Sequence, residues 1–368
     1  MSSARTRPRI VTVIPVMGVG GAEAVAADLV LEARRRGHDV LLASAGGFRA
    51  DDVAAQGVAH LEVPMGGRSA RDLARAVRTL RTSFTASPPD LVHAHNVKAA
   101  LVARLAAGRR CPVLVTLHGV PAGELRLAAR ILRRCADHVV AVSPYVATQL
   151  ADHGYPAGRV TVVANAVTPL ALPERQQARA ELGLDEAAPV ALCLARFADQ
   201  KRHDLLLDAW TETPEDALLL LAGDGPTLPR VRAQVERLGL TDRVRLLGPR
   251  TDVPRLLAAT DLVVLPTDWE GLPISLLEAM SSGVPVVASA VGGVRDTLGP
   301  ALRLVPPGTA APLARALTDL LADRDERARL AHRGRRLVHD EFGPDRMHDG
   351  YAATYARLVP PSLHEVTS

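Results

Sequence analysis

The sequence predicts an α/β protein of two domains, each a parallel β-sheet covered by helices. Short apolar runs alternate with amphipathic segments along the whole chain, which is the pattern of parallel strands joined by helices. The stretch from Thr168 to Pro173 interrupts the alternation with two prolines, and proline stiffens a chain and removes a backbone donor. The 368 residues suit two domains of roughly 150 to 200 residues each.

Each strand candidate is a short apolar run, and each helix candidate has apolar residues at the helical period. The predicted strands cover 10–14, 40–44, 91–95, 113–116, 138–142, 160–163, 190–195, 217–221, 244–247, 262–266 and 286–290. The predicted helices cover 23–36, 71–83, 98–107, 125–135, 205–210, 228–238, 253–259, 274–281, 312–322, 324–340 and 345–358. Because helices separate most of the strands, we expect the strands to pair in parallel.

The proline-containing stretch sets the predicted domain boundary. We expect a Rossmann-like domain over residues 1–170, a second over 171–342, and a C-terminal segment over 343–368. This segment is expected to form a helix that packs back on the first domain, followed by a loose tail after Pro360. Two such domains would face each other across a cleft, and doubly wound sheets bind ligands at the carboxyl ends of their strands.

Composition argues against several classes of protein. Aromatic residues are only 3% of the chain, and no aromatic-rich basic stretch suggests a nucleic-acid partner. Cys111, Cys135 and Cys193 form no CxxC pair, so we expect buried free thiols. No apolar run approaches the ~18 residues of a membrane span.

The net charge of +4 comes from basic residues that are nearly all arginine. Arginine runs at 34–36 and 133–134 indicate either solvated helix faces or a patch that meets anionic lipid or an acidic acceptor. The polar start of the chain lacks the apolar stretch of a signal peptide. We therefore expect a cytoplasmic protein, with peripheral contact at the inner membrane face left open, and the Ala- and Arg-rich usage suggests a bacterial source.

The most specific motif is Glu270-Gly-Leu-Pro-Ile-Ser-Leu-Leu-Glu278, which follows the strand candidate 262–266. Pro273 suits the first turn of a helix, where its missing N–H has no cost. Free backbone N–H groups at 272–275 would then favour an anion. Glu278, inside the helix, could bind ribose hydroxyls, and Glu270, on the loop, could face a sugar. Taken alone, both could also be surface acids.

Two cations, Arg196 and Lys201, follow the strand candidate 190–195. There they could hold a diphosphate and stabilise its charge as it leaves, although a solvated loop also explains the pair alone. Lysine is an unusual choice in a chain whose basic residues are nearly all arginine. Gly223-Asp224-Gly225-Pro226 ends the strand candidate 217–221 as a tight turn, which is either purely structural or lines a nucleotide pocket.

In the first half, glycines and histidines follow the strands. The segment from Gly18 to Glu23 lacks the third glycine of a dinucleotide fingerprint, so it indicates mainly that backbone approaches a ligand. His118, and likewise His93-Ala-His95-Asn96, could hydrogen-bond sugar hydroxyls at strand ends. Period two puts His93 and His95 on one face, so a metal pair is conceivable. No nearby carboxylate or cysteine completes a ligand set, and no metal site is predicted.

Taken together, these segments resemble the family 4 glycosyltransferases, which have the GT-B fold. The matching segments, in order, are Gly20-Gly21-Ala22-Glu23, His118-Gly119, Val142-Ser143, Asn165-Ala166, Arg196 with Lys201, Gly223-Asp224-Gly225-Pro226, Glu270 with Glu278, and Gly292-Gly293. Each segment is weak by itself, whereas the ordered set covers nearly the whole chain. The sequence departs from the family pattern at Ala24, Ala166, Arg202, Leu272 and Asp296.

The resemblance implies a role for each matched residue. Arg196 and Lys201 would bind the leaving diphosphate, Glu270 would contact the donor sugar, and His118 would hydrogen-bond that sugar near the reacting carbon. The implied catalytic residues are these four. The implied donor-binding residues are Gly21, Arg196, Lys201, Asp224, Arg250, Leu272, Pro273, Ile274 and Glu278. Gly20 and Asn96 are candidates for acceptor binding, and neither a metal nor another cofactor is expected.

The implied function is retaining transfer of a hexose-type sugar from a nucleotide sugar, with a UDP-linked donor favoured, to a hydroxyl acceptor. A lipid, a polysaccharide and a small metabolite all fit as acceptor. We expect the first domain to carry acceptor specificity and the second donor specificity. Front-face substitution is the preferred mechanism, because no protein nucleophile is evident. A sugar-nucleotide epimerase of similar shape and a non-catalytic nucleotide-sugar-binding subunit are the alternatives.

Overall fold

Residues 7–67 and 69–359 are described by a computed structural model of the chain. They form two units, which we call the first and the second unit. The first unit contains the chain up to Asn165 together with the chain from Asp345 onward, and the second runs from Ala166 to Pro344. These limits differ by a few residues from the sequence-based boundaries at 170 and 342. The expected loose tail after Pro360 lies outside the described residues.

The first unit contains a parallel sheet in the strand order β3-β2-β1-β4-β5-β6-β7. Its strands are β1 Arg9–Val13, β2 Asp39–Ser44, β3 Ala59–Glu62, β4 Leu91–Ala94, β5 Val113–Leu117, β6 His138–Ala141 and β7 Val160–Val162. Its helices before the boundary are α1 Gly21–Arg35, α2 Phe48–Ala55, α3 Ala70–Ala86, α4 Val97–Ala107, α5 Leu125–Cys135 and α6 Pro144–Asp152. The winding reverses between β1 and β4, and doubly wound sheets bind ligands at such a point.

The second unit repeats this plan with the strand order β10-β9-β8-β11-β12-β13, again all parallel. Its strands are β8 Val190–Leu194, β9 Leu218–Ala222, β10 Val244–Gly248, β11 Leu262–Leu265, β12 Val286–Ser289 and β13 Arg303–Val305. Its helices are α7 Arg175–Glu181, α8 His203–Trp210, α9 Leu228–Arg237, α10 Val253–Ala259, α11 Ile274–Ser281, α12 Ala310–Ala322 and α13 Arg324–Glu341. The winding reverses between β8 and β11, so their carboxyl ends are where a ligand is expected.

The final described helix, α14 Pro344–Leu358, lies against the sheet of the first unit. The Tyr355 hydroxyl is 2.9 Å from Nδ1 of His93, and the Tyr351 hydroxyl is 2.8 Å from Oγ1 of Thr116. Both tyrosines are buried, and a buried phenol needs a hydrogen-bond partner. The helix therefore docks through specific polar bonds as well as through apolar packing.

Side-chain caps fix where several helices of the first unit begin. Ser69 and Asp72 form a reciprocal capping box at α3, and Ser143 accepts a bond from the Val146 N–H at the start of α6. Such caps satisfy backbone donors that have no partner inside the helix. They explain the abrupt change from strand or loop to helix at these positions.

The fold class and the state of the cysteines agree with the sequence analysis. Two doubly wound parallel sheets confirm the α/β prediction. Cys111, Cys135 and Cys193 are free and buried. Within the described ranges, no helix combines the length and the apolar character that crossing a membrane requires.

Candidate active site

Three adjacent strands of the second unit, β9, β8 and β11, deliver most of the predicted donor-site residues to one edge of the sheet. Backbone bonds join the loops that follow these strands. The Phe197 N–H donates to the Asp224 carbonyl at 2.9 Å, and the Asp268 N–H donates to the Gln200 carbonyl at 2.9 Å. The loops therefore support one another, and this bonding limits how far the side chains they carry can move apart.

Lys201 and Glu270 form an ion pair in this cluster. Only 16% of the lysine side chain and 8% of the glutamate side chain are exposed. The Thr267 hydroxyl, at 2.9 Å, and the Gln200 amide, at 3.3 Å, also donate to the Glu270 carboxylate, and all three donors reach Oε1. The sequence analysis expected Lys201 to bind the donor phosphates and Glu270 to contact the donor sugar. In the structure, the two side chains form an ion pair with each other.

Arg196 differs from Lys201 in its surroundings. Its side chain is exposed, and no described residue forms an ion pair with it. The Ala198 N–H donates to the Arg196 carbonyl at 2.9 Å, which holds the backbone of this loop in a turn. Arg196 is therefore a cation available to an anionic ligand.

Arg202, one of the departures from the family pattern, adopts a left-handed conformation with φ of +40° and ψ of +43°. Glycine reaches this region without steric cost, and other residues rarely do. The guanidinium bonds Asp204 at 3.1 and 3.2 Å and Asp268 at 3.1 Å. These contacts hold Arg202 in its left-handed conformation. Because glycine adopts this conformation easily, it is common at this position in the family.

The turn that begins at Gly223 must pack directly on the Arg196 loop. Gly223 has a φ of +147°, and a Cβ there would collide with the Ala195 carbonyl oxygen. The exposed Asp224 accepts a bond from the Gly225 N–H at 2.7 Å. Asp224 thus shapes the turn, and any donor contact from its side chain must coexist with that bond.

Helix α11 begins at Ile274, and Pro273 occupies its N-cap with a ψ of 124°. Pro273 therefore lies just before the first turn and not within it, which corrects the sequence-based placement. No side chain caps the helix, so its first N–H groups remain available to an anion. Leu272 and Ile274 are buried, and they can meet a donor through backbone only. Glu278, the fifth residue of α11, is half-buried.

Arg250 lies after β10, and its guanidinium forms an ion pair with Asp252. Its guanidinium bonds both carboxylate oxygens of Asp252, at 2.7 and 2.5 Å. This bond raises the pKa of Arg250 and lowers the pKa of Asp252. Arg250 can therefore approach a base by stacking or by its remaining N–H groups, and not as an unpaired cation.

In the first unit, the glycines and Asn96 lie where strands lead into helices. Gly21 is the first residue of α1, and Gly20 is its N-cap, with extended backbone and no side-chain cap. A Cβ at Gly20 would collide with the carboxylate of Glu23, so an acidic side chain already lies against the start of α1. The Asn96 side-chain oxygen accepts a bond from the Ala99 N–H at 2.7 Å and caps α4. Only its amide N–H groups remain for an acceptor.

His93, His95 and His118 form a cluster at the ends of β4 and β5. The rings of His93 and His95 are 4.3 Å apart, and Nδ1 of His95 is 3.3 Å from Nε2 of His118. Burial lowers the pKa of His93 to about 3 and that of His118 to about 4, so both are neutral near pH 7. Tyr355 and Thr116 occupy both ring nitrogens of His93, which removes it as a metal ligand. The described residues contain no group of three metal-ligating side chains.

Sequence reasoning missed the side chains that hold the candidate residues in place. Gln200 and Thr267 bond Glu270, and Thr116 bonds His93. Thr267 follows a buried strand, as the other candidates do, and this position in the sequence could have identified it as a site residue. The sequence carries no comparable signal for Gln200, because its partners come from a distant loop.

The fold and the strand-end clusters define a class of protein: a GT-B glycosyltransferase. The model described as "Glycosyl transferases group 1" matches residues 174–337, and the model described as "Glycosyltransferase Family 4" matches residues 19–169. The chain belongs to the family 4 glycosyltransferases.

Individual proteins agree with this assignment. The chain is 28% identical over 359 residues to N-acetyl-alpha-D-glucosaminyl L-malate synthase of Bacillus anthracis, covering 92% of this chain and 94% of that protein. It is 39% identical over 170 residues to 2-deoxystreptamine N-acetyl-D-glucosaminyltransferase of Streptomyces fradiae, covering 43% of this chain and 40% of that protein. Anabaena HepE, solved with UDP and glucose, superimposes with a TM-score of 0.85 at 26% identity, over 96% of this chain and 100% of that one.

Proposed function

We propose that the chain is a retaining glycosyltransferase that moves a hexose-type sugar from a UDP-linked donor to a hydroxyl acceptor. The observation that carries this proposal is the cluster in the second unit, where Arg196, the Lys201–Glu270 pair and the uncapped start of α11 follow neighbouring strands. Fixed cations and helix dipoles are suited to the charge of a departing diphosphate. The similarity to HepE, solved with UDP and glucose, supports uracil as the base of the donor nucleotide.

In this proposal the residues act as follows. Arg196 and Lys201 neutralise the diphosphate, Glu278 binds the ribose hydroxyls, and Glu270 and His118 bond the donor sugar. The bond from the anomeric carbon to the phosphate oxygen breaks, and a bond to the acceptor oxygen forms on the same face. The acceptor proton passes to the departing phosphate oxygen, so no protein base and no metal is required.

For the acceptor we favour a small, polar, hydroxylated molecule. Two relatives carry such compounds, L-malate and 2-deoxystreptamine, in their names. In the first unit, the neutral ring of His118 and the amide N–H groups of Asn96 are groups that hydrogen-bond hydroxyls and carboxylates. Transfer to a lipid or to a polysaccharide instead would refute this preference.

The test begins with thermal shifts for a panel of nucleotides and nucleotide sugars, since a ligand that binds only the folded state raises the Tm. UDP and one UDP-sugar should give the largest shifts. The product of that sugar with a panel of acceptors is then examined by NMR, and its anomeric coupling should match the donor. The opposite anomer would exclude retention. A changed sugar nucleotide without acceptor would indicate an epimerase, and binding without turnover would indicate a binding subunit.

We also propose peripheral contact with an anionic membrane through α5. This helix has the sequence LRLAARILRRC, with four arginines and no acidic residue, and Leu127 on it is 60% exposed. An apolar side chain among arginines suits a negatively charged lipid surface. The protein should sediment with phosphatidylglycerol vesicles and not with phosphatidylcholine vesicles. Leu127→Asp should weaken this binding, whereas Leu172→Asp should not, and failure to bind either vesicle would refute the proposal.

A further inference from the structure

His95 and His118 meet edge to edge at the carboxyl ends of two neighbouring strands. Their bonded nitrogens are 3.3 Å apart, their ring planes differ by 19°, and their ring centres are 5.6 Å apart. The separation of the centres equals the nitrogen separation plus about one ring radius on each side. The line between the nitrogens therefore lies nearly in both ring planes, which is the geometry of an imidazole hydrogen bond.

The other nitrogen of His95 decides which ring donates. His95 is 1% exposed, and its Nε2 has no hydrogen-bond partner among the described residues. Burial, together with His93 and His118, holds the pKa of His95 well below its usual value, so the ring is neutral and carries one proton. A proton on Nε2 would leave a buried N–H unpaired, which folded proteins avoid more strictly than an unpaired acceptor. The proton therefore belongs on Nδ1.

We infer that His95 is a positioning residue, which donates from Nδ1 to Nε2 of His118 and thereby fixes His118 as the tautomer protonated on Nδ1. No described residue accepts a bond from that Nδ1, and His118 is only half-buried. His118 thus presents a hydrogen-bond donor to an oxygen atom of the substrate. The identity of that substrate rests on the proposed function, whereas the tautomer does not.

The ring of His95 also contacts the ring of a second histidine, His93. The His93 ring packs against it at 4.3 Å with a 39° tilt. His93 is fixed at both nitrogens, by the Tyr355 hydroxyl at 2.9 Å and the Thr116 hydroxyl at 2.8 Å. The position of His95 is therefore supported by α14 on one side and by β5 on the other.

The direct test is the tautomer of His118 in the full-length protein. Long-range ¹H–¹⁵N NMR of histidine-labelled protein distinguishes a protonated from an unprotonated ring nitrogen, and His118→Gln assigns the signal by its loss. We expect Nδ1 of His118 to be protonated at pH 7.5. A proton on Nε2 would overturn the inference whether or not the protein transfers sugar.

Two variants test the consequence for activity. The amide nitrogen of asparagine can occupy the position of Nδ1, whereas that of glutamine lies one atom further from the backbone. His95→Asn should keep the His118 tautomer and most of the turnover. His95→Gln should lose the tautomer and lower kcat by about 10- to 100-fold, as for other orienting partners, with little change in KM. Equal losses in the two variants would refute the role.

A matched control separates positioning from damage to the core. His138 is a buried histidine of the same sheet, with Thr161 and Arg357 as its partners, so His138→Gln reports the effect of losing any such residue. It should leave the His118 tautomer unchanged. In a His118→Ala background, His95→Gln should cause no further loss of kcat, because the group that it positions is absent. A further loss of the same size would show that His95 acts independently of His118.

Discussion

Lys201 and Glu270 are 69 residues apart in the chain, yet they form an ion pair at the ends of adjacent strands. The pair has two consequences. It gives a largely buried carboxylate a cationic partner, which a buried charge requires. It also holds the ammonium group of Lys201 at the edge of the sheet where the helix N-terminus of α11 begins. Under the proposed function, the stability of the protein and its catalysis are therefore coupled at this pair.

Lys201→Ala is expected to lower both turnover and stability. Turnover should fall by roughly 10²- to 10³-fold, the cost of losing one placed charge-stabilising donor. The free energy of unfolding should fall by about 3 kcal/mol, because Glu270 would be left without its cation. Transfer kinetics and urea unfolding measure the two effects. Arg230→Ala is the control, since its ion pair with Asp199 is largely exposed and should contribute less than about 1 kcal/mol.

A double variant distinguishes the two roles of this pair. Lys201→Met with Glu270→Gln removes both charges and keeps most of the side-chain volume, so it should recover much of the lost stability. Turnover should stay low, because the cation is still missing and the carboxylate proposed to bond the donor sugar has become an amide. Recovery of turnover in the double variant would mean that Lys201 serves only to neutralise Glu270.

Glu278→Ala should weaken donor binding. Loss of a charge-assisted bond to the ribose has a cost of roughly 1.5 to 3 kcal/mol, and UDP and the UDP-sugar should be affected equally because both contain the ribose. Calorimetry gives the dissociation constants. Glu236→Ala, on the exposed face of α9, serves as the matched control. Unchanged affinity for UDP would remove Glu278 from the donor site.

Transfer should continue in excess EDTA. The charge of a leaving diphosphate must be neutralised by a metal or by fixed cations and dipoles, and here Arg196, Lys201 and the start of α11 are assigned that task. The measurement is the initial rate with and without EDTA, followed by addition of Mg²⁺. Loss of activity in EDTA and its return with Mg²⁺ would show that the fixed groups are insufficient.

Stability should fall as the pH falls from about 6.5 to about 4. Burial lowers the pKa of His93 to about 3 and the pKa values of His118 and His203 to about 4. In this range the unfolded chain binds protons at these histidines and the folded chain does not, so acid favours unfolding. Each histidine contributes at most about 1.4 kcal/mol per pH unit.

Urea unfolding at pH 7.5, 6.0 and 5.0 measures this dependence. His203→Gln should reduce the slope against pH, because it removes one buried group that titrates only on unfolding. His153 is an exposed histidine. His153→Gln should therefore leave the slope of the unfolding free energy against pH unchanged. A free energy of unfolding that stays constant from pH 7.5 to 5.0 would contradict the prediction.

The sequence predicted the central strands well and, of the four edge strands, it predicted β7 and β10. Strands such as β4 and β8 are buried on both faces and therefore form continuous apolar runs. The edge strands β3 and β13 were missed, because they are short and partly exposed and contain charged residues. The short helix α7 was missed for a similar reason, since most of its residues are polar. Edge elements depend on their neighbours more than on their own residues.

At the candidate site, the sequence placed side chains at strand ends but could not predict what they bond. The Lys201–Glu270 pair joins two loops that only the order of the strands brings together. The left-handed backbone of Arg202 was equally hidden, because only glycine and, less often, asparagine signal that conformation in a sequence. The capping role of Asn96 was accessible, since asparagine between a strand and a helix is a common N-cap.

The place of α14 in the first unit affects how this chain folds while it is being synthesised. Tyr351 and Tyr355 bond Thr116 and His93, which precede them by 235 and 262 residues. At roughly 5 to 20 residues per second, the ribosome needs on the order of 10 to 50 s to travel that distance. During this time the sheet of the first unit lacks its last helix, and His93 and Thr116 lack the two tyrosine hydroxyls. The second unit therefore emerges in full before the first can be completed, and a nascent chain that stops before α14 would leave the earlier unit unfinished.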